Sequence, residues 1–212
     1  MSLGLFVNGV FQYRRDTMKL QCHRPTLAAA LQIVSTVVPT RTPREILRNV
    51  KLQVDAGSAT LVATDLEVGV RVELTGVETD SSGEVLLPTG RMSSILREVT
   101  DETIDIEVTE SSVQVRTTGS EFTLGSEDPD EFPDVAAFEG DQYLAIPGAA
   151  LREGIVRTKF ATDEESTRYA LGGILFDPAG DKVTLVATDS RRLAVASQPA
   201  RPEGFEELAN PG

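Results

Sequence analysis

The groups that could do chemistry in this sequence are few. There is one histidine and one cysteine, and they are adjacent: Cys22, His23, then Arg24. A thiol beside an imidazole and a guanidinium can be shifted toward thiolate and become a nucleophile. The plainer expectation is a residue at the end of a strand. A single histidine beside a single cysteine is too little for zinc, which takes four ligands, so neither a metal nor a cofactor is expected. Asp163, Glu164 and Glu165 put three carboxylates together, as a hydrolase using general acid and base catalysis would require. A charge run of this kind is more simply a solvated loop. Ser190 would need a positioned base, and no motif links it to His23. The sequence contains no Walker loop and no G-x-G-x-x-G, and "LGGIL" at 171–175 reads as a strand with close backbone approach. No catalytic residue is expected, and the chain reads as a non-enzyme.

The arginines carry more information. Net charge is −13, yet the signs are sorted along the chain. Between Glu121 and Asp141 there are eight acidic residues and no lysine or arginine. The basic residues gather near 41–51, 91–97, 152–168 and 191–192. Arg41, Arg44 and Arg48 follow one predicted helix, and Arg91 and Arg97 lie on a second. Arg152 and Lys159, at i and i+7, share a flank of a third, beside a Leu151/Ile155 stripe. Guanidinium forks suit phosphates and position a protein without reading sequence. Such residues also solubilise half-buried helices and lay their stems on apolar surface, so both readings stand at this point.

The elements that must position these groups follow from a repeat. "LVATD" occurs at 61–65 and again at 185–189, 124 positions later (185 − 61). At the same offset Leu20 matches Leu144, Leu27 matches Leu151, Leu47 matches Leu171 and Val50 matches Ile174. An ordered set of this kind is the mark of a duplicated unit. Within the first copy, "PTLAAALQIVSTVV" (25–38) has helical apolar spacing with Pro25 near its start. Val68, Val70, Val72 and Leu74 alternate with polar or small residues, and turn-forming Asp55-Ala56-Gly57-Ser58 and Thr64-Asp65 separate strands into an antiparallel meander. The spacing predicts a second helix over 89–99, with Thr89 as N-cap and Met92, Ile95, Leu96 and Val99 as its buried stripe. Short strands near 103–108, 112–117 and 120–124 complete an α+β unit.

This predicts a complete unit over 18–126, an acidic boundary segment over 127–141 anchored through Phe132 and Phe138, and the first part of a second unit over 142–212. Position 212 corresponds to position 88 (212 − 124), so the second copy is expected to stop inside a domain. Residues 1–17 precede the repeat. Their positive charges follow the apolar part, unlike a secretory signal, and "FVNGVFQY" would turn at Asn8-Gly9 as a hairpin. A 40% hydrophobic, 25% charged composition is that of a soluble globular protein. No apolar run approaches the roughly 20 residues of a membrane span. With one cysteine no internal disulfide can form, which favours an intracellular, cytoplasmic location.

From Met18 onward the sequence resembles the bacterial sliding clamp, the β subunit of DNA polymerase III. The matching stretches are "TPREILRNV" with "TDLE", the "LPTGR" entry to the second helix, "EFPDV" at the boundary, and above all "TRYALGGILF" with "VATDSRRLAVAS". The resemblance implies tandem copies of a clamp-type α+β domain, three per full chain, with antiparallel sheets outside and helices on the inner face. It implies a head-to-tail homodimeric ring around duplex DNA, placed there by a clamp loader. Such a ring is a processivity factor that tethers replicative and repair polymerases through short peptide motifs. A closed ring holds DNA by topology, so weak, salt-sensitive phosphate contacts suffice and the acidic net charge is no obstacle.

Carried onto this sequence, the resemblance assigns DNA contact to Arg41, Arg168 and Tyr169, alongside the helix-flank cations Arg152 and Lys159. It assigns a partner-peptide cleft to Leu171, Thr188, Ser190, Arg191, Arg192 and Leu193. Leu171 and Leu193 would give an apolar floor for a short linear motif. Ala170 stands where relatives often carry a second tyrosine, and Glu165 where they carry a polar DNA-contacting residue. The expected absence of the later domains implies that this chain alone does not close a ring, and that its half-domain is unstable or pairs its edges with a neighbour. The alternative function is a clamp-fold peptide-binding or regulatory module that does not encircle DNA.

Overall fold

Residues Met18–His23 alternate buried and exposed without exception, forming strand β1 with Met18, Leu20 and Cys22 turned into the core. The structure is a computed structural model describing residues 18–204 other than 56, 80, 110–111, 164 and 166–168. The expected Asn8-Gly9 hairpin, Glu164 and Arg168 therefore lie outside the described residues. The chain divides after Ala137 into two compact units.

In the first unit β1 leads into helix α1 (Arg24–Val34), with Pro25 in its opening turn where a missing N–H costs nothing. Apolar spacing predicts a helix as far as 38, but α1 ends four residues sooner. Ser35 donates its hydroxyl to the Leu31 carbonyl and Thr36 to that of Ile33, competing with helix propagation. Five strands follow: β2 (Asn49–Asp55), β3 (Ser58–Thr64), β4 (Gly69–Leu74), β5 (Val77–Thr79) and β6 (Gly83–Pro88), of which β2–β4 form a meander. Then come α2 (Thr89–Glu98), β7 (Thr103–Val108), β8 (Ser112–Arg116) and β9 (Glu121–Gly125). The strands make two antiparallel sheets, in the orders β4-β3-β2-β6 and β5-β1-β7-β8-β9.

One core joins both sheets to both helices. Leu27 and Leu31 of α1, Met92 and Leu96 of α2, Leu52 and Leu61 of one sheet and Ile104 and Ile106 of the other belong to a single buried cluster. Thr89 is not the N-cap of α2. Pro88, still paired with Asn49 at the end of β6, takes that position. The chain thus passes from strand to helix with no intervening residue, and Thr89 is already in the first turn. Its buried hydroxyl has no partner among the described residues.

The second unit contains β10 (Tyr143–Ala145), α3 (Gly148–Thr158), β11 (Leu175–Ala179), β12 (Lys182–Thr188), β13 (Leu193–Pro199) and β14 (Arg201–Glu203). Helices α1 and α3, strands β3 and β12, and strands β5 and β14 match at both ends with the 124-residue offset (185 − 61). Register matches too: the pairing Leu52↔Leu61↔Val72 recurs as Phe176↔Leu185↔Ala196. The duplication read from LVATD is therefore a duplication of structure.

The copies differ in how their helices are covered. Leu27, Ala30, Leu31 and Val34 of α1 are all buried, because α2 packs beside it. At the equivalent positions of α3, Gly154 and Thr158 are buried but Leu151 and Ile155 only half so. The expected Leu151/Ile155 stripe is therefore not the tightest contact. A β-carbon on Gly154 would lie 3.0 Å from Gln198 and 3.1 Å from Leu185, so the small residue lets the helix settle onto β12 and β13. No counterpart of α2 flanks α3 among the described residues.

Candidate peptide-binding wall and nucleic-acid interface

The turn after β12 is built around Asp189. One carboxylate oxygen accepts the backbone N–H groups of Arg191 (3.0 Å) and Arg192 (2.9 Å). The other accepts the Arg192 Nε–H at 2.8 Å. Thr188 Oγ1 accepts the Ser190 N–H and donates to the Arg192 carbonyl at 2.7 Å. These bonds hold Ser190 at φ 71°, a left-handed conformation that an L-residue adopts only when its surroundings impose it. The N–H of Arg191, then that of Arg192, and the Arg192 guanidinium hold the Asp189 carboxyl below the usual carboxylate range.

The same turn stands 124 residues earlier (185 − 61). Asp65 accepts the N–H groups of Glu67 (2.9 Å) and Val68 (2.7 Å), Thr64 Oγ1 bridges Leu66 N–H and Val68 C=O, and Leu66 has φ 82°. Both aspartates are structural, as their duplicated position implies. What differs is the cargo. The second turn presents Arg191, Arg192 and Leu193, where the first carries Glu67, Val68 and Gly69.

Five of the six residues expected in the cleft thus sit on or beside one hydrogen-bonded turn, with Leu193, 66% exposed, opening β13. The sixth, Leu171, is half-buried at the end of a 3-10 turn over Tyr169–Leu171. Its carbonyl accepts the Asp163 N–H at 2.8 Å. Phe160 is the residue that sequence reasoning missed. It lies in the 3-10 turn after α3, is 57% exposed, and has the Arg192 guanidinium carbon 5.5 Å from its ring centroid. Its only sequence signal is an aromatic directly after a basic helix.

The outer sheet faces also diverge. In the first unit Arg71, Val62, Lys51 and Leu86 form one row across β4-β3-β2-β6, and Val62 and Leu86 are buried although they stand outside the central core. The acidic segment crosses this side. Ser126 donates to the Leu86 carbonyl, Asn49 to Glu127, and Arg71 to the Val135 carbonyl, while Pro129 and Phe132 are buried. Phe132 anchors the segment as expected. Phe138 does not, being 76% exposed with an edge-to-face contact to Tyr143. The equivalent row of the second unit, Val195, Val186 and Leu175, is apolar, with Val195 56% and Leu175 63% exposed.

The cations are on the surface. Arg41, Arg91, Arg97, Arg152 and Lys159 are exposed and make no ion pair among the described residues. Arg48 pairs with Glu45 at 2.9 Å and Arg157 with Glu153 at 2.7 Å. Asp163 accepts the Glu165 N–H at 3.2 Å, the bond of a turn aspartate rather than of a carboxylate pair. Cys22 is a buried strand residue. Burial, with a smaller contribution from the Asp105 charge, pushes its thiol up to about 12, the reverse of activation. His23 Nδ1 pairs with Thr26 Oγ1 at 2.9 Å.

Residues 18–136 match the family model for the N-terminal domain of the DNA polymerase III beta subunit. The chain belongs to that family. Residues 145–208 match the model for the central domain of the same beta subunit. The chain is 34% identical over 185 residues to the beta sliding clamp of Pseudomonas aeruginosa, covering 87% of this chain and 50% of the relative. It is 31% identical over 183 residues to that of Escherichia coli K12, covering 86% and 50%. Among solved structures, the DNA polymerase III subunit beta of P. aeruginosa superimposes with a TM-score of 0.77 at 31% identity, over 87% of this chain and 52% of that one. The Bacillus subtilis sliding clamp gives 0.80 at 25% identity, over 90% and 52%. The chain thus spans about half the length of these beta subunits. Its described helices are too short and polar to cross a membrane.

Proposed function

We propose that this chain works as part of a DNA sliding clamp, a non-catalytic processivity factor of the bacterial replicative polymerase in the cytoplasm. In this reading one clamp domain covers 18–126, the acidic segment 127–141 forms the boundary, and a second domain begins at 142. Full-length subunits close head to tail around duplex DNA, a clamp loader places them there, and polymerases and repair proteins dock by short peptides. Arg41, Arg152, Lys159, Arg168 and Tyr169 touch the phosphate backbone. Leu171, Thr188, Ser190, Arg191, Arg192 and Leu193 make one wall of the peptide cleft.

The observation that carries this reading is the exposure of cations without acidic partners, among the described residues, on the helices and first loop of a chain whose net charge is −13. Exposed, unneutralised cations on an otherwise acidic protein suit a sequence-independent partner of opposite sign. The test is retention of the full-length protein on primed circular DNA after incubation with clamp loader and ATP. Retention through a salt wash, abolished when the circle is linearised, is the expected result. Failure to load, with peptide binding intact, would replace this reading by that of a clamp-fold module that does not encircle DNA.

A further inference from the structure

We infer that Phe160 is a positioning residue of the peptide-binding wall: its ring holds the Arg192 guanidinium ready for a main-chain carbonyl of an incoming apolar peptide. The inference rests on the reading of Thr188–Leu193 as that wall. Two groups constrain Arg192 from different sides. Asp189 takes its Nε–H at 2.8 Å, and the Phe160 ring lies under the guanidinium carbon at 5.5 Å. Because the carboxylate engages Nε, the Nη donors of the exposed fork remain for a ligand acceptor.

The internal repeat separates this pair from the needs of the fold. The equivalents of Phe160 and Arg192 in the first unit are Thr36 and Val68, yet the Asp65 turn there makes the same backbone bonds. The aromatic–guanidinium pair is therefore not required to form the turn. It has been added where the wall is, and it leaves Phe160 57% exposed, as Leu193 of the wall is at 66%. A large exposed ring under an arginine guanidinium, with an exposed leucine next to that arginine in sequence, is the chemistry of a pre-ordered recognition patch. Ordering the arginine before the peptide arrives removes an entropic cost that binding would otherwise meet.

The probe is griselimycin, which is bound in a solved P. aeruginosa clamp structure. Binding would be measured by calorimetry for the full-length wild-type protein and for its Phe160→Leu, Phe160→Trp, Arg192→Ala and Phe160→Leu/Arg192→Ala variants. Phe160→Leu should weaken binding about two- to fivefold, the scale of an exposed cation–π contact, and Phe160→Trp should retain it. Arg192→Ala should weaken binding at least as much, and adding Phe160→Leu to it should change nothing further. The Arg192 Nε–Hε resonance should lose its ring-current displacement in Phe160→Leu and keep one in Phe160→Trp.

Unchanged affinity in Phe160→Leu, or an equal loss with and without Arg192, would overturn the positioning role. Wild-type binding that Arg192→Ala leaves untouched would instead remove the wall reading. Full-length wild-type protein that does not bind griselimycin would remove both.

Discussion

Gly69 faces Val135 so closely that a β-carbon there would stand 2.5 Å from Val135 Cγ1. The acidic segment thus presses on the outer sheet of the first unit at the residue that can receive it. Gly69→Ala should destabilise the first unit by about 1–3 kcal/mol through overpacking, against the usual gain from removing a strand glycine. Val135→Ala in the same chain should recover most of the loss. Urea denaturation of the three variants checks this, and a Gly69→Ala chain as stable as wild type would mean that the segment moves freely.

The paired turns predict a shared acid sensitivity. Backbone N–H groups lower the Asp65 and Asp189 carboxyls in the folded state, led by those of Val68 and Arg191 respectively. A folded pKa below the unfolded value gives stability that is fully present above about pH 4, the ordinary carboxylate value. That stability disappears as pH falls further, through the folded pKa. Asp65→Asn and Asp189→Asn should each lower thermal stability at pH 7, and each gap to wild type should narrow toward pH 2. A gap independent of pH would show that the charge is not what the turn uses.

Cys22 should be inert in the folded chain. Its thiol is buried and pushed up to about 12, so almost no thiolate exists at pH 8. A maleimide should label it only after denaturant is added. Rapid labelling of the native protein would contradict the position of β1.

The exposed cations predict a particular salt response. Replacing Arg152 and Lys159 by glutamine should weaken duplex DNA binding and flatten the dependence of log K on log salt by about 0.9 for every phosphate no longer neutralised. Folding should be unaffected, since both side chains are exposed. Fluorescence anisotropy at several salt concentrations reads the slope, and an unchanged slope would exclude these residues from the phosphate interface.

Much of this molecule is legible in its sequence because the signals are local along the chain. Period-2 alternation in β1 and β4, turn chemistry at Thr64-Asp65, and the echo of LVATD each depend on residues a few positions apart, or on copying of the whole unit. The duplication accordingly extends to the level of strand register. The Arg191-Arg192-Leu193 stretch on the second turn stands out in the sequence only through its resemblance to the clamp family.

Contacts between distant segments were decided only by the tertiary structure. Pro88 displaces Thr89 from the N-cap because β6 runs directly into α2. Gly154, rather than the Leu151/Ile155 stripe, is the close face of α3 because Leu185 and Gln198 stand where a β-carbon would go. Phe160 reaches Arg192 because a 3-10 turn after α3 brings its ring beneath the Asp189 turn. Periodicity and turn chemistry are written in neighbouring residues. Close approach and cation–π geometry exist only once packing has brought distant segments together.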